Sequence, residues 1–493
     1  MSSAARFILL LFITALVSIS CPFHNLDNPM DPKSENYMDV PKIISPEAEA
    51  QVNAPAVEIT WEEPSGGAAA YTVEVSASED YSDSVLEEEL TDTSVIITER
   101  VFPDGVIYYR VKGVAEDGRS GPWAESSFTL TKRVKLAGKG VVESIIPTSD
   151  GGYALTGASS ETSGDLLAMK LDAAGRIVWE QTYVYDPLDS VNRGKAIIED
   201  SNGNLVIAGF RVDDAGNNWS IIYKLNPSDG SKSRDAVAFG GVGNEQKAFD
   251  LIEDSSGKYV YVGQYDDTDA FYLCKLQSST LYIDGEEQFD PDPSGDFDYD
   301  KFTSVLENGA GNYVAVGWGA DTTLSSEYNY SLIEIDKDTL GIVDSTKGDG
   351  AGEGTIINDV IEVSGSGNYI IAGSRDYGGN NENALLVELD KANLGPLGSQ
   401  NFEEGDHEEA KAVFRDSDGN FVLAGSTGWD NLDMYAVKTD GSFSKTWALT
   451  AGETGADEVA SDCILCSDGG YLFACSDLTN DSIWLIKTDP EGN

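Results

Sequence analysis

Five oxygen-bearing side chains, Asp290, Asp292, Ser294, Asp296 and Asp298, stand at alternate positions with Gly295 sixth in the run. That is the ligand spacing of a calcium loop, because a hard cation is satisfied by closely set carboxylate, hydroxyl and carbonyl oxygens. The twelfth position, where a bidentate glutamate belongs, is Lys301, and no helical pattern flanks the run. An acidic connecting loop is the competing reading, and calcium is the one cofactor the chain suggests. Chemistry elsewhere is sparse. The chain has two histidines, His24 and His407. Any Ser-His-Asp or Cys-His mechanism would depend on His407, which lies in the acidic run 403–409 and is expected to be a solvated loop residue. Cys463 and Cys466 have CxxC spacing. On a strand, positions three apart point to opposite faces, so a pair of small core residues is expected. An oxidising compartment would permit a Cys463–Cys475 bridge. Carboxylates suffice for a glycosidase pair, but their abundance singles out none. No P-loop or strand–GxGxxG–helix unit is present.

The elements that must position these residues are repeated. Gly151, Gly203, Gly257, Gly311, Gly367, Gly419 and Gly469 each end a polar turn. Six residues later stand Gly157, Gly209, Gly263, Gly317, Gly373 and Gly425, with Cys475 in the seventh unit. Apolar runs on both sides of an Asp-Gly-type turn form a hairpin signal. A third run follows, for example Leu167–Leu171, Ile221–Leu225 and Tyr435–Thr439, and then a fourth, Ile177–Thr182 in the first unit. A fixed long period with four short strands per unit predicts the blades of a β-propeller. The seventh unit stops after its third strand. The segment Leu130–Gly138 resembles the fourth strand of the sixth unit, Lys445–Gly452. The expected fold is therefore all-β, with a seven-bladed propeller over 131–493 closed by an N-terminal strand. An open or eight-unit arrangement is the alternative. Closure removes the free sheet edges that promote aggregation.

The 493 residues include 85 acidic and 32 basic side chains, a formal net charge of -53. Nucleic acid is excluded as a partner, since phosphate binding needs basic patches. Residues 1–20 read as a signal peptide: Arg6, then an apolar stretch from Phe7 to Val17 too short to span a bilayer. Ser18-Ile19-Ser20-Cys21 resembles a bacterial lipobox, with Ser18 where leucine is usual. The resemblance implies lipidation of Cys21, attachment through a lipid anchor to the bacterial envelope, and, with Pro22 following, the outer membrane. Residues 21–42, rich in Asn, Asp and Pro, read as a tether.

Residues 43–130 form a different unit. Val57–Trp61 and Tyr71–Ser76 alternate cleanly, and turn signals at Ser65-Gly66-Gly67 and Glu116-Asp117-Gly118 separate strands. This pattern predicts a β-sandwich. On Ser45-Pro46, Trp61, Tyr71, Tyr109-Arg110-Val111 and Gly118, Ser120 and Trp123, it resembles a fibronectin type III domain, with Ile107 where many members carry a corner tyrosine. That resemblance implies a spacer or adhesive module, with Trp61 in its core. The elements Ser-Asp-Gly-Gly-Tyr, Leu-Thr-Gly and Lys-Leu-Asp resemble the repeats of exported bacterial and archaeal propellers. The segment Ala173–Trp179 resembles the tryptophan-docking stretch of quinoprotein propellers but lacks the preceding Thr-Gly, so Trp179 is expected to pack a blade and no quinone is expected.

The expectation is an envelope-anchored lipoprotein acting as a non-catalytic binding or scaffold platform, with an envelope protein or glycan as partner. The alternatives are an exported propeller enzyme acting on a polysaccharide or small substrate through carboxylates or a metal, and an envelope-assembly subunit. The repeated letters are architectural. Function is therefore expected where the repeats disagree, in the loops 285–300, 319–329 and 403–409.

Overall fold

The structure, a computed structural model, describes residues 38–492 except 49, 54–56, 83, 98–104, 132, 137–139, 162–163, 266–269, 290–296, 322–326, 349–353, 378–381, 406, 430 and 454. Cys21 and the calcium-loop positions Asp290, Asp292, Ser294 and Asp296 lie outside the described residues. Asp298 is described only in its backbone, where it pairs with Ala320. The described residues are all-β, in nine antiparallel sheets without a helix. The chain divides into two compact units, Met1–Val52 with Glu58–Leu130, and Asn53–Val57 with Thr131–Asn493.

The first unit has a three-stranded sheet (Lys42–Ser45, Val57–Glu62, Ser94–Ile97) and a five-stranded sheet. Alternation in Val57–Glu62 turns Val57, Ile59 and Trp61 inward, as period-two patterning requires. Trp61 is buried edge-on against Tyr71, with ring centroids 5.3 Å apart. The Tyr109 hydroxyl donates to the Pro46 carbonyl at 2.6 Å. Trp61 is a core residue, as its place in the alternation predicts.

The second unit holds seven four-stranded sheets, numbered one to seven here in chain order. The innermost strands are Val141–Pro147, Val191–Glu199, Gln246–Glu253, Phe297–Glu307, Gly354–Glu362, Glu408–Arg415 and Glu458–Leu465. Each touches the innermost strand of the next sheet, and the last touches the first. The fourth strand of sheet seven is Arg133–Leu136, which pairs with Ser482–Thr488. The architecture is that of a β-propeller.

The apolar core is divided among the gaps between neighbouring sheets. Leu155 and Met169 of sheet one meet Leu472 and Leu485 of sheet seven, and Ile207 and Tyr223 of sheet two meet Ala154 and Leu166 of sheet one. A polar latch recurs at the hairpin turns. In sheet two, Asp200 accepts from the amides of Asn202 and Asn204, closing its own turn, and from the Tyr259 hydroxyl of sheet three at 2.6 Å. Lys224 lies 2.8 Å from the same carboxylate. Desolvation opposes ionisation of this carboxyl, but Lys224, Tyr259 and Asn204 outweigh it and hold it at about 2. Asp254 with Tyr313 and Asp416 with Tyr471 repeat the latch in later gaps. A second clasp runs over it: Glu199, Glu253 and Glu307 each grip the turn serine of the preceding sheet, Ser149, Ser201 and Ser255.

The cysteines and Trp179 belong to this scaffold. All four described cysteines, Cys274, Cys463, Cys466 and Cys475, are buried and outside any disulfide. Cys463 packs in the gap between sheets six and seven and Cys466 in the gap between seven and one, so the CxxC pair is split across one sheet. Trp179 is buried and donates its indole N–H to the Pro227 carbonyl of the next sheet at 2.8 Å.

Candidate axial binding site

One irregularity recurs in all seven innermost strands. The pairing with the second strand slips by one residue, leaving a β-bulge at Glu143, Lys195, Phe249, Thr303, Asn358, Lys411 and Ser461. A bulge inserts an unpaired residue and re-aims its side chain. Here all seven bulged residues line a single cavity of about 390 Å³. The wall is otherwise made by the residues flanking the bulges, including Ser144, Asp250, Lys301, Ser304, Asp359 and Asp462. The seven bulge positions hold acid, base, aromatic, amide and hydroxyl groups. The residue before each bulge is small or apolar (Val142, Gly194, Ala248, Phe302, Ile357, Ala410, Ala460), and the residue after it is Ser, Ala or Asp.

The cavity wall carries two chemical sets. One is cationic. Lys195 lies 2.5 Å from Glu143, and Arg193 lies 3.2 Å from the same carboxylate as an ion pair. Lys411 lies 2.5 Å from Glu409, which also accepts from the Asn358 amide at 3.0 Å. Lys301 has no carboxylate partner among the described residues. Its ammonium sits 4.3 Å from the Trp318 ring centroid and 5.3 Å from that of Phe249, in cation–π contact with both. Burial, then the charges of Lys195 and Lys411, push its pKa down to about 8.

The other set is three half-buried carboxyls, Asp250, Asp359 and Asp462, each one residue past a bulge. Asp250 accepts from Leu251 N in its own strand and from Val305 N in the next sheet, both at 2.7 Å. Asp359 accepts from Val360 N and Val413 N, each at 2.8 Å, and from the Ser304 hydroxyl at 2.8 Å. Asp462 accepts from Cys463 N at 2.7 Å and Ile145 N at 2.9 Å, joining sheet seven to sheet one. Burial pushes Asp250 and Asp462 up to about 7 against these donors, and Asp359 rises for the same reason. Each accepts from a backbone amide of the next sheet, and Asp359 from the Ser304 hydroxyl of the preceding sheet as well, so they serve as ties between sheets.

His407 departs from expectation. It is not a solvated loop residue: its Nδ1 lies 3.1 Å from Glu382, without hydrogen-bond alignment, and its ring packs 4.4 Å from Trp429. Ser374 donates to the other Glu382 oxygen. The serine and the histidine therefore meet the carboxylate and not each other, an order that activates no nucleophile. Burial raises the Glu382 carboxyl, against the lowering effects of Ser374 and His407. No group of three or more metal-ligating side chains occurs among the described residues, and no helix there is long and apolar enough to cross a membrane.

The residues of this candidate axial site are ones that the sequence reading does not single out. They lie in the regular strands, not in the loops 285–300, 319–329 and 403–409 where repeat disagreement was sought. Lys301, which sequence spacing places twelfth in a calcium loop, belongs to the cavity wall.

No protein-family model matches the chain, and no curated protein does. Solved structures do. Hydrazine synthase from Kuenenia stuttgartiensis aligns over 72% of this chain and 97% of its own, with 12% identity and a TM-score of 0.48. The periplasmic gluconolactonase PpgL of Pseudomonas aeruginosa aligns over 79% of this chain and 98% of its own, with 11% identity and a TM-score of 0.45. The quinohemoprotein alcohol dehydrogenase of Comamonas testosteroni aligns over 70% of this chain and 67% of its own, at 11% identity and a TM-score of 0.40. At these identities and TM-scores the likeness carries nothing over to this chain about activity, ligand or partner.

Proposed function

We propose that the protein is an envelope-anchored lipoprotein whose seven four-stranded sheets are the blades of a closed propeller acting as a non-catalytic binding platform. Its recognition site is the axial cavity. One observation carries the reading: the one strand position that is re-aimed in every sheet is also the one where all seven sheets point into a common space with chemically mixed side chains. Closure by Arg133–Leu136 supports the seven-blade count. The split of the first unit into three- and five-stranded sheets supports a fibronectin type III-like spacer. Lipidation of Cys21 and calcium on the Asp290–Asp298 stretch belong to the same proposal and rest on the sequence.

The cavity supports binding over catalysis because its three carboxyls tie sheets together and its described histidine neighbours are none. The test is capture from native envelopes, or from a glycan array, by the wild type and by Phe249→Ala/Lys411→Ala. Loss of the captured species with an unchanged circular dichroism spectrum is expected; undiminished capture by a folded double variant would move recognition elsewhere. Radiolabelled palmitate should enter the wild type and not Cys21→Ala, and an unlabelled wild type would remove the anchor.

A further inference from the structure

We propose that the axial cavity takes a small acidic sugar, its carboxylate held by Lys301 and Lys411 and its ring stacked on Phe249. This rests on the reading of the cavity as the recognition site and names the ligand class.

The first argument is charge. The chain carries 85 acidic against 32 basic residues, yet Lys195, Lys301 and Lys411 line one cavity of about 390 Å³, beside Glu143 and the amide-tied carboxyls Asp250, Asp359 and Asp462. Holding like charges together in a poorly solvated space is unfavourable unless something compensates them. Glu143 answers Lys195 and Arg193, and Glu409 answers Lys411. Lys301 is left facing two aromatic rings. An anion entering the cavity supplies the missing partner through a charge-assisted hydrogen bond.

The second argument is the rest of the lining. Phe249 is the one aromatic side chain in a wall otherwise made of polar and small residues. A bare phosphate or sulfate has no use for a ring face. A sugar has one apolar C–H face and hydroxyls at its edge. Ser461 and the Thr303 hydroxyl oxygen offer partners for those hydroxyls; the Thr303 proton is already given to the Ile357 carbonyl at 2.8 Å. The volume lies at the lower end of the range for small-molecule pockets, about 300–1,000 Å³, which suits a mono- or disaccharide.

The third argument is titration. The charged groups around Lys301 are Lys195, Lys247, Lys411 and Glu409, with Phe249 and Trp318 against its ammonium and Glu143, Asp250, Asp359 and Asp462 in the same wall. With its pKa pushed down to about 8, Lys301 loses its charge on mild alkalinisation while ordinary lysines keep theirs. Asp250 and Asp462, pushed up to about 7 in the same wall, gain negative charge just below that region, so affinity for the acid should fall as pH rises from about 7 through 8 for both reasons, and Lys301→Gln should remove only the upper part of the fall.

The experiment is calorimetric titration of the full-length protein with glucuronate, galacturonate, glucose and inorganic phosphate. A parallel measurement on the wild type is protection of Lys301 from acylation, read by mass spectrometry, which needs no variant to fold. The expected result is binding of one or both sugar acids, with glucose weaker by roughly tenfold or more and Lys301→Gln costing about as much. Phe249→Ala should weaken the sugar acid and leave phosphate unchanged. Failure of both sugar acids to bind at millimolar concentration, or binding that neither protects Lys301 nor responds to Lys301→Gln, overturns the proposal. Glucose protecting Lys301 as well as glucuronate does would overturn the acidic class while keeping the cavity as the recognition site. Phosphate binding as tightly as the sugar acids, with no effect of Phe249→Ala, would overturn the sugar.

Discussion

Replacing Asp462 with Asn should change the pH dependence of stability more than stability itself. Asp462 closes the ring of sheets by accepting from Ile145 N, and burial pushes its carboxyl from 3.8 up to about 7. A carboxyl whose folded pKa is raised contributes stability that is complete below its unfolded pKa and is lost as pH rises through the folded one. The full shift corresponds to about 4 kcal/mol, of which about 2.5 kcal/mol is lost between about pH 5 and pH 8. The amide does not titrate, so the variant keeps a constant contribution. Urea unfolding of both proteins at the two pH values should show the variant gaining on the wild type by up to about 2.5 kcal/mol on going to the higher pH. Asp250→Asn should behave alike, because Asp250 makes the same tie between sheets three and four. Parallel profiles for wild type and variant would refute the reasoning: they would mean that the amides of Ile145 and Cys463 keep the carboxylate ionised throughout.

The other predictions address the scaffold and the acidic loop. Tyr259→Phe removes the hydroxyl that latches sheet three to Asp200 and should cost about 1–2 kcal/mol in urea unfolding. The cost should diminish in acid near the lowered pKa of Asp200, about 2, where the carboxylate takes up its proton. Gly263→Ala places a Cβ 1.8 Å from the Lys247 carbonyl oxygen, a backbone atom that cannot step aside. It should cost more than about 2 kcal/mol or prevent folding, whereas alanine at Gly398, where no atom lies within 4 Å and φ is not left-handed, should be nearly silent by thermal melting. Calcium titrated into the wild type should release heat that disappears in Asp292→Asn/Asp296→Asn; unchanged heat would remove the site from this loop.

The scaffold was legible because its causes are local and repeated seven times. Turn glycines, alternating strands and a missing fourth strand each leave letters at fixed offsets. The split CxxC pair and the buried Trp61 follow from the same alternation. His407 was misjudged because its burial comes from Trp429 and Glu382, neighbours brought in by other strands that a local acidic run does not foretell.

The axial site was written in the same letters but needed the opposite reading. Eight residues before the turn glycine stand Glu143, Lys195, Phe249, Thr303, Lys411 and Ser461; in sheet five, whose turn is one residue longer, Asn358 stands nine before Gly367. A search for what recurs discards these positions because they share nothing. What marks six of them is the second glycine of the repeat; in sheet seven Cys475 stands at that place, opposite Ala460 and beside the bulge at Ser461. That glycine faces the bulged strand, and in sheets one to six a Cβ there would stand within 2.0 Å of the carbonyl oxygen two residues before the bulge. In sheets one to six the glycine is thus the imprint of the bulge, and the bulge is what turns an unrepeated residue toward the axis. The conserved spacing and the variable chemistry are two sides of one backbone feature. A one-residue deletion at Phe249 should restore regular pairing in the inner strand of sheet three, relieve the requirement for glycine at 263, and remove one of the seven groups from the cavity. If Gly263→Ala remained as damaging in that deletion background as in the wild type, measured by thermal unfolding, the bulge would not be the reason for the glycine.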